Sequence, residues 1–315
     1  MPTLSCIITC KGRLEHLKES LPKVCAAGFD EVIVVDFDCP QSTADWCRAN
    51  YPKAKAIKVS NQPKFNLSKA RNIGARDALS RWLCFLDADV LIKNDFTSSF
   101  RNKMKNGNFY PLTAFLRHDS KDFFGLSGTV VCEYSAFSSV GGYDEVMADY
   151  SWEDIDFYQR LTRNGHIVRL APPDTVEHVI QHGERTAFFS LSARISLLRN
   201  GFYCAGKLKL MDMFGFNAEL PMSIREDLFA QVTKEAQKWD HNKLDAVSTV
   251  SVKLPSELNE RLGSGNQLQV EISRRDINAA LSFRKKFTDR LFDNRYTDRI
   301  AAISGRVFYK RTGKK

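Results

Sequence analysis

The N-terminal third of the chain alternates short apolar runs with amphipathic segments, and this alternation constrains the fold more than any other feature. The apolar runs are continuous and β-branched, as in EVIVVD, which is typical of strands covered on both faces. The pattern predicts an α/β fold with a right-handed, mostly parallel central sheet flanked by helices. The predicted strands are 4–9, 31–36, 54–60 and 81–87, and the predicted helices are 15–26, 42–50 and 67–80.

The pattern becomes less regular after residue 95. Further helices are predicted at 95–106, 152–164 and about 185–200, with a strand at 166–171. Gly165 follows the second of these helices, where a glycine commonly ends a helix. Two short strands around a GSGN turn then predict a small, basic α+β module over 241–315, after one large domain over 1–240.

The basic charge of the chain is concentrated at its C-terminal end. The 315 residues have a formal charge of +9, and residues 274–315 alone hold 13 Lys/Arg against four Asp/Glu. Apolar residues recur there at helical spacing between basic ones, which predicts a helix that lies on an anionic membrane surface or packs on its own domain. Nucleic acid is not an expected partner, because no signature with interleaved aromatic residues is present. The apolar residues of this helix are Ile277, Ala280, Phe283, Phe287 and Leu291.

The cysteines and the apolar runs indicate a reduced, non-membrane-spanning protein. The eight cysteines form no C-x-x-C pair, so neither a zinc site nor a disulfide framework is predicted. No run approaches the ~20 apolar residues of a membrane span, and the N-terminus lacks the pattern of a secretory signal. We therefore expect a cytoplasmic protein, peripheral at the inner face of the cell membrane if the basic helix binds there.

Three predicted strands end in polar residues, and ligands of open α/β sheets bind beyond such carboxyl ends. These residues are Thr9, Asp36 and Asp87. Asp87 and Asp89 stand at i and i+2, so on an extended strand both carboxylates point the same way. Together they can bind a hard divalent cation that neutralises a diphosphate, although an Asp-x-Asp pair alone is a weak signal.

A second acidic group opens the helix predicted from Trp152. Glu153, Asp154 and Asp156 are favoured there by the helix dipole, and a carboxylate so placed can also serve as a general base. Two histidines follow, His178 and His182. Together with the acidic pair, either histidine can complete a coordination sphere of oxygen and nitrogen ligands for Mn²⁺. Alternatively, neither histidine binds a metal.

Taken in order, the motifs resemble those of the family 2 glycosyltransferases, which have the GT-A fold. The resemblance covers about residues 3–185, and the second half looks closest to galactosyltransferase-type members, including chondroitin-polymerase-like enzymes. The motifs are SCIITCKGR, EVIVVDFDCPQSTADW, FNLSKARNIGARDA, WLCFLDADV, VGGYDE and SWEDIDFYQRLTRNG.

The resemblance implies a role for each matching residue. Residues 1–95 would form the nucleotide-sugar half and 96–240 the acceptor half. Trp152, Glu153 and Asp154 resemble a W-G-G-E-D acceptor motif whose Asp is the catalytic base. The nucleotide-sugar contacts would be Thr9, Arg13, Asp36, Arg71, Asn72 and Asp87, and the metal ligands Asp87, Asp89 and His178, with His182 as the alternative.

This sequence departs from the family in two places. DFDCP replaces the usual DDGS, so Asp38 competes with Asp36, and Ser151-Trp152-Glu153 stands where the motif has its Gly pair. The resemblance implies an inverting, Mn²⁺- or Mg²⁺-dependent hexosyl- or N-acetylhexosaminyltransferase, using a UDP-sugar donor and a glycan acceptor for polysaccharide biosynthesis. The alternatives are a nucleotide-sugar nucleotidyltransferase and a catalytically silent protein that binds sugar nucleotide or membrane.

Overall fold

The computed structural model describes most of the chain, as two units. The first unit comprises Met1–Asp149 and Glu153–Ser190, and the second Tyr150–Trp152 and Leu191–Lys315. The units thus divide near residue 190, earlier in the chain than the domain boundary predicted at 240. The described residues are 2–112, 126–149, 151–172, 174–180, 188–236, 248–256, 258 and 267–273.

A seven-stranded sheet forms the centre of the first unit, in the order β3-β2-β1-β4-β7-β6-β8. The pairs β3-β2, β2-β1, β1-β4 and β6-β8 are parallel, while β4-β7 and β7-β6 are antiparallel. The predicted mostly parallel α/β sheet is therefore confirmed. Its strands are β1 Leu4–Cys10, β2 Glu31–Phe37, β3 Lys55–Val59, β4 Trp82–Asp87, β6 Asn108–Pro111, β7 Val130–Glu133 and β8 Ile167–Val168.

Six helices accompany this sheet. All seven residues of β1 are buried, and buried residues of the helix that follows it, such as Leu17 and Leu21, join the same core cluster. The helices are α1 Leu14–Ala26, α2 Thr43–Asn50, α3 Leu67–Arg76, α4 Phe96–Arg101, α5 Tyr134–Ser139 and α6 Glu153–Arg163.

Two of these helices end before the residue that the sequence pattern predicts. α3 was expected to reach Ser80 but ends at Arg76, and Leu79 is 89% exposed. The chain must reverse there, because Trp82 already donates its N–H to the carbonyl of Thr3 at the start of β4. α4 likewise ends at Arg101 rather than Asn106.

A two-stranded ribbon extends from the end of β4. It pairs β5 Val90–Ile92 with β9 Val176–Val179 in antiparallel fashion, with Leu91 opposite His178. This pairing joins the chain after Asp87 to the segment that carries the first of the predicted histidines.

Where the structure describes the second unit, it contains two helices and a hairpin. α7 Ala193–Phe214 and α8 Met222–Ala236 pack on each other and on the hairpin of β10 Ser248–Lys253 and β11 Gln267–Ile272. The helix predicted at about 185–200 thus begins later and is longer. The basic helix predicted over 277–291 lies outside the described residues, and within them no helix has both the length and the apolarity to cross a bilayer.

Candidate active site

The carboxyl ends of three parallel strands bring the predicted polar residues to one edge of the sheet. Thr9 of β1 is the register partner of Asp87 on β4, and Cys10 is the partner of Asp36 on β2. Because β1 lies between the other two strands in the sheet, Thr9, Asp36 and Asp87 lie at the same edge of it.

Arg71 joins the two acidic clusters of the sequence. Its guanidinium donates from Nη2 to Asp87 Oδ1 at 2.9 Å and from Nη1 to Glu153 Oε1 at 3.1 Å. The Arg71 side chain is only 2% exposed, against 23% for Asp87 and 12% for Glu153. The end of β4 and the first turn of α6 therefore face each other across one buried cation.

The environment of this triad changes the proton affinity of its members. Burial lowers the pKa of Arg71, but the surrounding Tyr143, Asp87 and Glu153 outweigh it, so the net shift is upward. Burial raises the pKa of Glu153 from 4.5 to about 7; Asp154 adds to the rise and Arg71 opposes it. Arg71 is thus a permanent cation, whereas Glu153 changes its charge near neutral pH.

Tyr143, in the loop with the sequence GGYDE, covers the guanidinium. The Arg71 guanidinium carbon lies 5.0 Å from the centre of the Tyr143 ring, which stacks on Phe157 at 4.3 Å. Among the described residues, no hydrogen-bond partner is found for the buried Tyr143 hydroxyl. A cation over an aromatic face is stabilised most when both are desolvated, as they are here.

The same loop is fixed by Asn72. Its side-chain amide donates to the carbonyl of Tyr143 and to Glu145, and its Oδ1 accepts the Tyr143 N–H at 2.8 Å. From the other side, Arg160 Nη1 donates to the carbonyls of Val140 and Gly142. Asn72 therefore positions Tyr143 over Arg71, while the nucleotide contact expected of Asn72 stays a prediction.

Gly128 was missed by the sequence analysis, although it touches the centre of the triad. A Cβ added there would lie 2.3 Å from Arg71 Nη2 and 2.7 Å from Asp87 Oδ2. The neighbouring Ser127 carbonyl accepts the hydroxyl of Tyr158 at 2.8 Å, which fixes the backbone. Only glycine leaves room for this approach, but a single Gly before a β-branched run carries no distinguishing signal.

The acidic pair lies on a turn rather than on a continuous strand. β4 ends at Asp87, and residues 88–89 form the turn into β5, so the extended-strand geometry assumed from sequence was wrong. The turn is held from two sides, because the Ala88 carbonyl accepts from Ser20 and the Asp89 carbonyl accepts from Ile180 N–H.

The predicted metal ligands are near one another in the fold but do not converge. His178 is exposed on β9, opposite Leu91, and His182 lies outside the described residues. Within the described part of the chain, Asp87, Asp89 and His178 do not place one ligand atom each within 4.8 Å of one another. One reason that these ligand atoms do not converge is that Asp87 Oδ1 is paired with Arg71.

Asp36 holds the loop between β2 and α2. Its two carboxylate oxygens accept the N–H groups of Cys39 and Ala44, each at 2.7 Å. Asp38, with φ of +53°, accepts the Gln62 N–H. The two acidic residues of DFDCP therefore fix different segments of the chain. Whether either one contacts a nucleobase stays a prediction.

Lys11 and Arg13 lie in the loop after β1. Lys11 is buried and donates to the carbonyls of Phe37, Asp38 and Gln62, so it ties three strand ends together. Arg13 takes the N-cap position of α1, next to the strand end that carries Thr9.

The turn before α6 has an unusual backbone. Ser151 and Trp152 have φ of +77° and +79°, in the left-handed region that favours glycine. Both residues lie in the segment Ser151-Trp152-Glu153, which stands where the acceptor motif has its Gly pair. The helix begins at Glu153 rather than Trp152, and the assignment of Trp152 to acceptor binding stays a prediction.

The residues after Glu153 divide between the site and the scaffold. Asp154 is buried, and its Oδ1 accepts the N–H of Ile155 at 2.8 Å. Asp156 instead forms a buried ion pair with Arg160 at 2.7 Å, which anchors the helix to the loop at 140–142. The first turn of α6 thus presents Glu153 and Asp154 as its chemically relevant carboxylates.

The sheet, with an acidic turn after β4 and a Glu-Asp pair opening α6, has the GT-A fold, and the comparison with known families identifies a glycosyltransferase. Residues 5–137 match the glycosyl transferase family 2 model, and residues 113–183 match the N-terminal domain of galactosyltransferase. The match over the first region confirms the resemblance to glycosyltransferase family 2 found in the sequence.

Solved structures support the fold assignment. TarS residues 1–349 from S. aureus match with a TM-score of 0.52 and 14% identity over 74% of this chain and 72% of that one. The same fragment in complex with UDP-GlcNAc gives 0.50 and 16% over 75% and 71%. The mannosyltransferase PcManGT from Pyrobaculum calidifontis, in complex with GDP-Man and Mn²⁺, gives 0.51 and 14% over 92% and 84%. No curated protein matches the chain significantly.

Proposed function

We propose that the protein transfers a sugar from a nucleoside-diphosphate donor, expected to be a UDP-sugar, to a hydroxyl of a glycan acceptor with inversion at the anomeric carbon. The observation that carries this proposal is the buried Arg71, which pairs with Asp87 of the donor motif and with Glu153 of the acceptor motif. A donor and an acceptor bound at these two motifs would meet at one place.

The donor end is assigned to the strand edge. Thr9, Arg13 and Asp36 are proposed to line the nucleotide, with Arg71 and Asp87 near the diphosphate. Carboxylate oxygens are suitable ligands for Mn²⁺ or Mg²⁺, and Asp87 is partly exposed at the end of its strand, so the ligand chemistry fits a divalent ion even though Asp87, Asp89 and His178 do not converge in this structure. Asp87 and Asp89 would hold it, with His178 or His182 as a nitrogen ligand. When bound, the ion would neutralise the diphosphate charge.

The transfer step uses the first turn of α6. Asp154 accepts the proton of the acceptor hydroxyl as that oxygen forms a bond to the anomeric carbon. On the opposite side of the carbon, the bond to the diphosphate oxygen breaks, and the diphosphate leaves with both bonding electrons. Glu153, held by Arg71, positions the acceptor and keeps Asp154 in place.

Proteins that share this fold support a nucleoside-diphosphate donor. TarS is known in complex with UDP and with UDP-GlcNAc, and the mannosyltransferase in complex with GDP-Man and Mn²⁺. A thermal-shift screen of UDP-, GDP- and dTDP-sugars, each with and without Mn²⁺, would identify the donor, because a ligand that binds the native state raises its apparent stability.

Asp154→Asn tests the catalytic assignment. We expect sugar transfer, or the slow hydrolysis of the UDP-sugar, to fall by about 10³-fold or more, because a general base contributes roughly 10²–10⁴. The thermal shift caused by UDP should remain. Asp77→Asn, at an exposed carboxylate of the same unit, serves as the control. Near-normal transfer by Asp154→Asn would refute the role of Asp154.

Two other functions make different predictions in the same assays. A nucleotide-sugar nucleotidyltransferase would form pyrophosphate bonds and would release no free UDP from a UDP-sugar. A catalytically silent binding protein would show the thermal shift and no turnover. The presence of both acidic motifs favours the glycosyltransferase.

Membrane contact through residues 274–315 is a separate proposal, which depends on their net charge of +9. Because of electrostatic attraction to anionic lipid, the full chain should cosediment with phosphatidylserine vesicles and not with phosphatidylcholine vesicles. Deletion of 274–315 should abolish this cosedimentation. Equal binding of the deleted chain would show that the attraction lies elsewhere.

A further inference from the structure

Two cysteine thiols face each other where β1 and β2 end. Cys10 is the last residue of β1, and Cys39 lies in the loop after β2; the two thiols are close enough for each to shift the pKa of the other. Cys10 Sγ lies 3.4 Å from the Thr43 hydroxyl, and Cys39 Sγ accepts the N–H of Gly12 at 3.1 Å. Both residues are buried, with Cys39 the more accessible at 9% exposed.

The surroundings of the pair make its two members chemically unequal. The hydrogen bond from Cys10 lowers the pKa of Cys39 most; burial opposes it, and Thr43 and the N–H groups of Gly12 and Gln41 bring it to about 5. The pKa of Cys10 is raised, by the interaction with Cys39 and by burial. At neutral pH the pair therefore consists of one thiolate and one thiol.

The other cysteines provide an internal contrast. Burial raises the pKa of Cys47 to about 12, and it also raises the pKa of Cys25. Cys25 is the exposed cysteine of the chain. If exposure decided reactivity, Cys25 would react first, whereas if hydrogen-bond donors decided it, Cys39 would.

We propose that Cys39 is an oxidation site for small peroxides and that Cys10 is its resolving partner. The Cys39 thiolate attacks one oxygen of hydrogen peroxide, the O–O bond breaks, and the departing hydroxide takes a proton to become water. The sulfur of Cys10 then attacks the sulfenic acid of Cys39, the S–O bond breaks, and the second hydroxide leaves with the Cys10 proton. Two thiols are oxidised to one disulfide, and one peroxide is reduced to two waters.

Peptide mapping of the full wild-type chain tests the order of reaction. The protein receives a short pulse of hydrogen peroxide, remaining thiols are alkylated with iodoacetamide, and the digest is analysed by mass spectrometry. We expect a peptide pair linked through Cys10 and Cys39 while Cys25 is still alkylated as a free thiol. Oxidation of Cys25 first, or full alkylation of Cys10 and Cys39 after the pulse, would overturn the proposal.

Variants separate the attacking thiol from the resolving thiol. In Cys10→Ser, whose hydroxyl can still donate to Cys39 but cannot form a disulfide, oxidation should stop at the sulfenic acid of Cys39, which dimedone traps, while the matched Cys47→Ser should still form the linked pair. Absence of the dimedone adduct at Cys39 in folded Cys10→Ser would contradict the assignment.

A third measurement needs no substitution, should Cys10→Ser fail to fold. Pulsed alkylation of the native wild-type protein at pH 6 should label Cys39 at least about tenfold faster than Cys25, despite its lower exposure. Faster labelling of Cys25 would overturn the proposal.

Discussion

Replacing Glu153 by Gln should change how the stability of the first unit depends on pH. The wild-type carboxylate is 12% exposed, lies beside Asp154 and forms one ion pair, with Arg71 at 3.1 Å. Burial and Asp154 raise its pKa from 4.5 to about 7 despite that ion pair. The native state therefore binds a proton more tightly than the unfolded chain does.

The sign and size of the effect follow from linkage. Because the pKa is raised in the folded state, the stability that comes from protonated Glu153 is complete below pH about 4.5 and is lost as the pH rises through about 7. A pKa that moves from 4.5 to about 7 corresponds to about 3 kcal/mol. Glu153→Gln has no carboxylate to ionise at this position, so its free energy of unfolding should increase by about 3 kcal/mol relative to that of the wild type as the pH rises from 5 to 8.

The assay must report on the first unit alone, and two buried cysteines allow this. Cys84 of β4 and Cys132 of β7 are fully buried, so their alkylation in increasing urea measures unfolding of this sheet. Glu15→Gln, at an exposed carboxylate in the same unit, is the control and should keep the wild-type pH dependence. Parallel curves for Glu153→Gln and wild type from pH 5 to pH 8 would refute the reasoning.

Two further predictions concern Gly128, which is a glycine, and Ser151, whose backbone conformation suits a glycine. Gly128→Ala should reduce sugar transfer by about 10- to 100-fold, because its Cβ would displace Arg71 Nη2 and Asp87 Oδ2, and overpacking costs about 1–3 kcal/mol. Ser127→Ala adds no bulk and is the matched control; transfer by Gly128→Ala equal to that of the control would contradict the close contact. Ser151→Gly should raise the free energy of unfolding of the second unit by up to about 1 kcal/mol, because φ of +77° suits glycine. Chemical denaturation of both proteins measures it, and a loss of stability would show that the turn is not strained at this residue.

The sheet could be predicted from sequence because its strands are covered on both faces. EVIVVD and WLCFLD are buried almost throughout, and such continuous apolar runs have few alternatives to a parallel strand. The boundaries of α7 could not be predicted in the same way. Its Arg199 and Lys207 are buried among apolar residues, so the helix lacks the one-sided periodicity on which a sequence-based assignment depends.

The sequence predicted which strand ends lie at the candidate site but not the contacts between its residues. Thr9, Asp36 and Asp87 lie at one edge because strands joined by helices run parallel, so that their carboxyl ends meet there. The pairing of Arg71 with both Asp87 and Glu153 depends on where α3 and α6 pack, which no local pattern encodes. The turn at residues 88–89 was missed for the same reason, since its geometry is set by Ser20 and Ile180, which are distant in sequence.

The turn before α6 adopts a backbone that suits glycine although its residues are not glycines. Ser151 and Trp152 take the left-handed conformation that a glycine pair adopts without strain, at a cost of about 1–3 kcal/mol for each residue. Such strain persists only where neighbours fix the chain, and the Ser151 carbonyl accepts a hydrogen bond from Asn200 at 2.9 Å. What the strained turn achieves is visible in the next two residues, because it begins α6 at Glu153 and so places the Glu-Asp pair in the first helical turn. The position of that pair, rather than the identity of the residues before it, is therefore what the conformation of this turn determines.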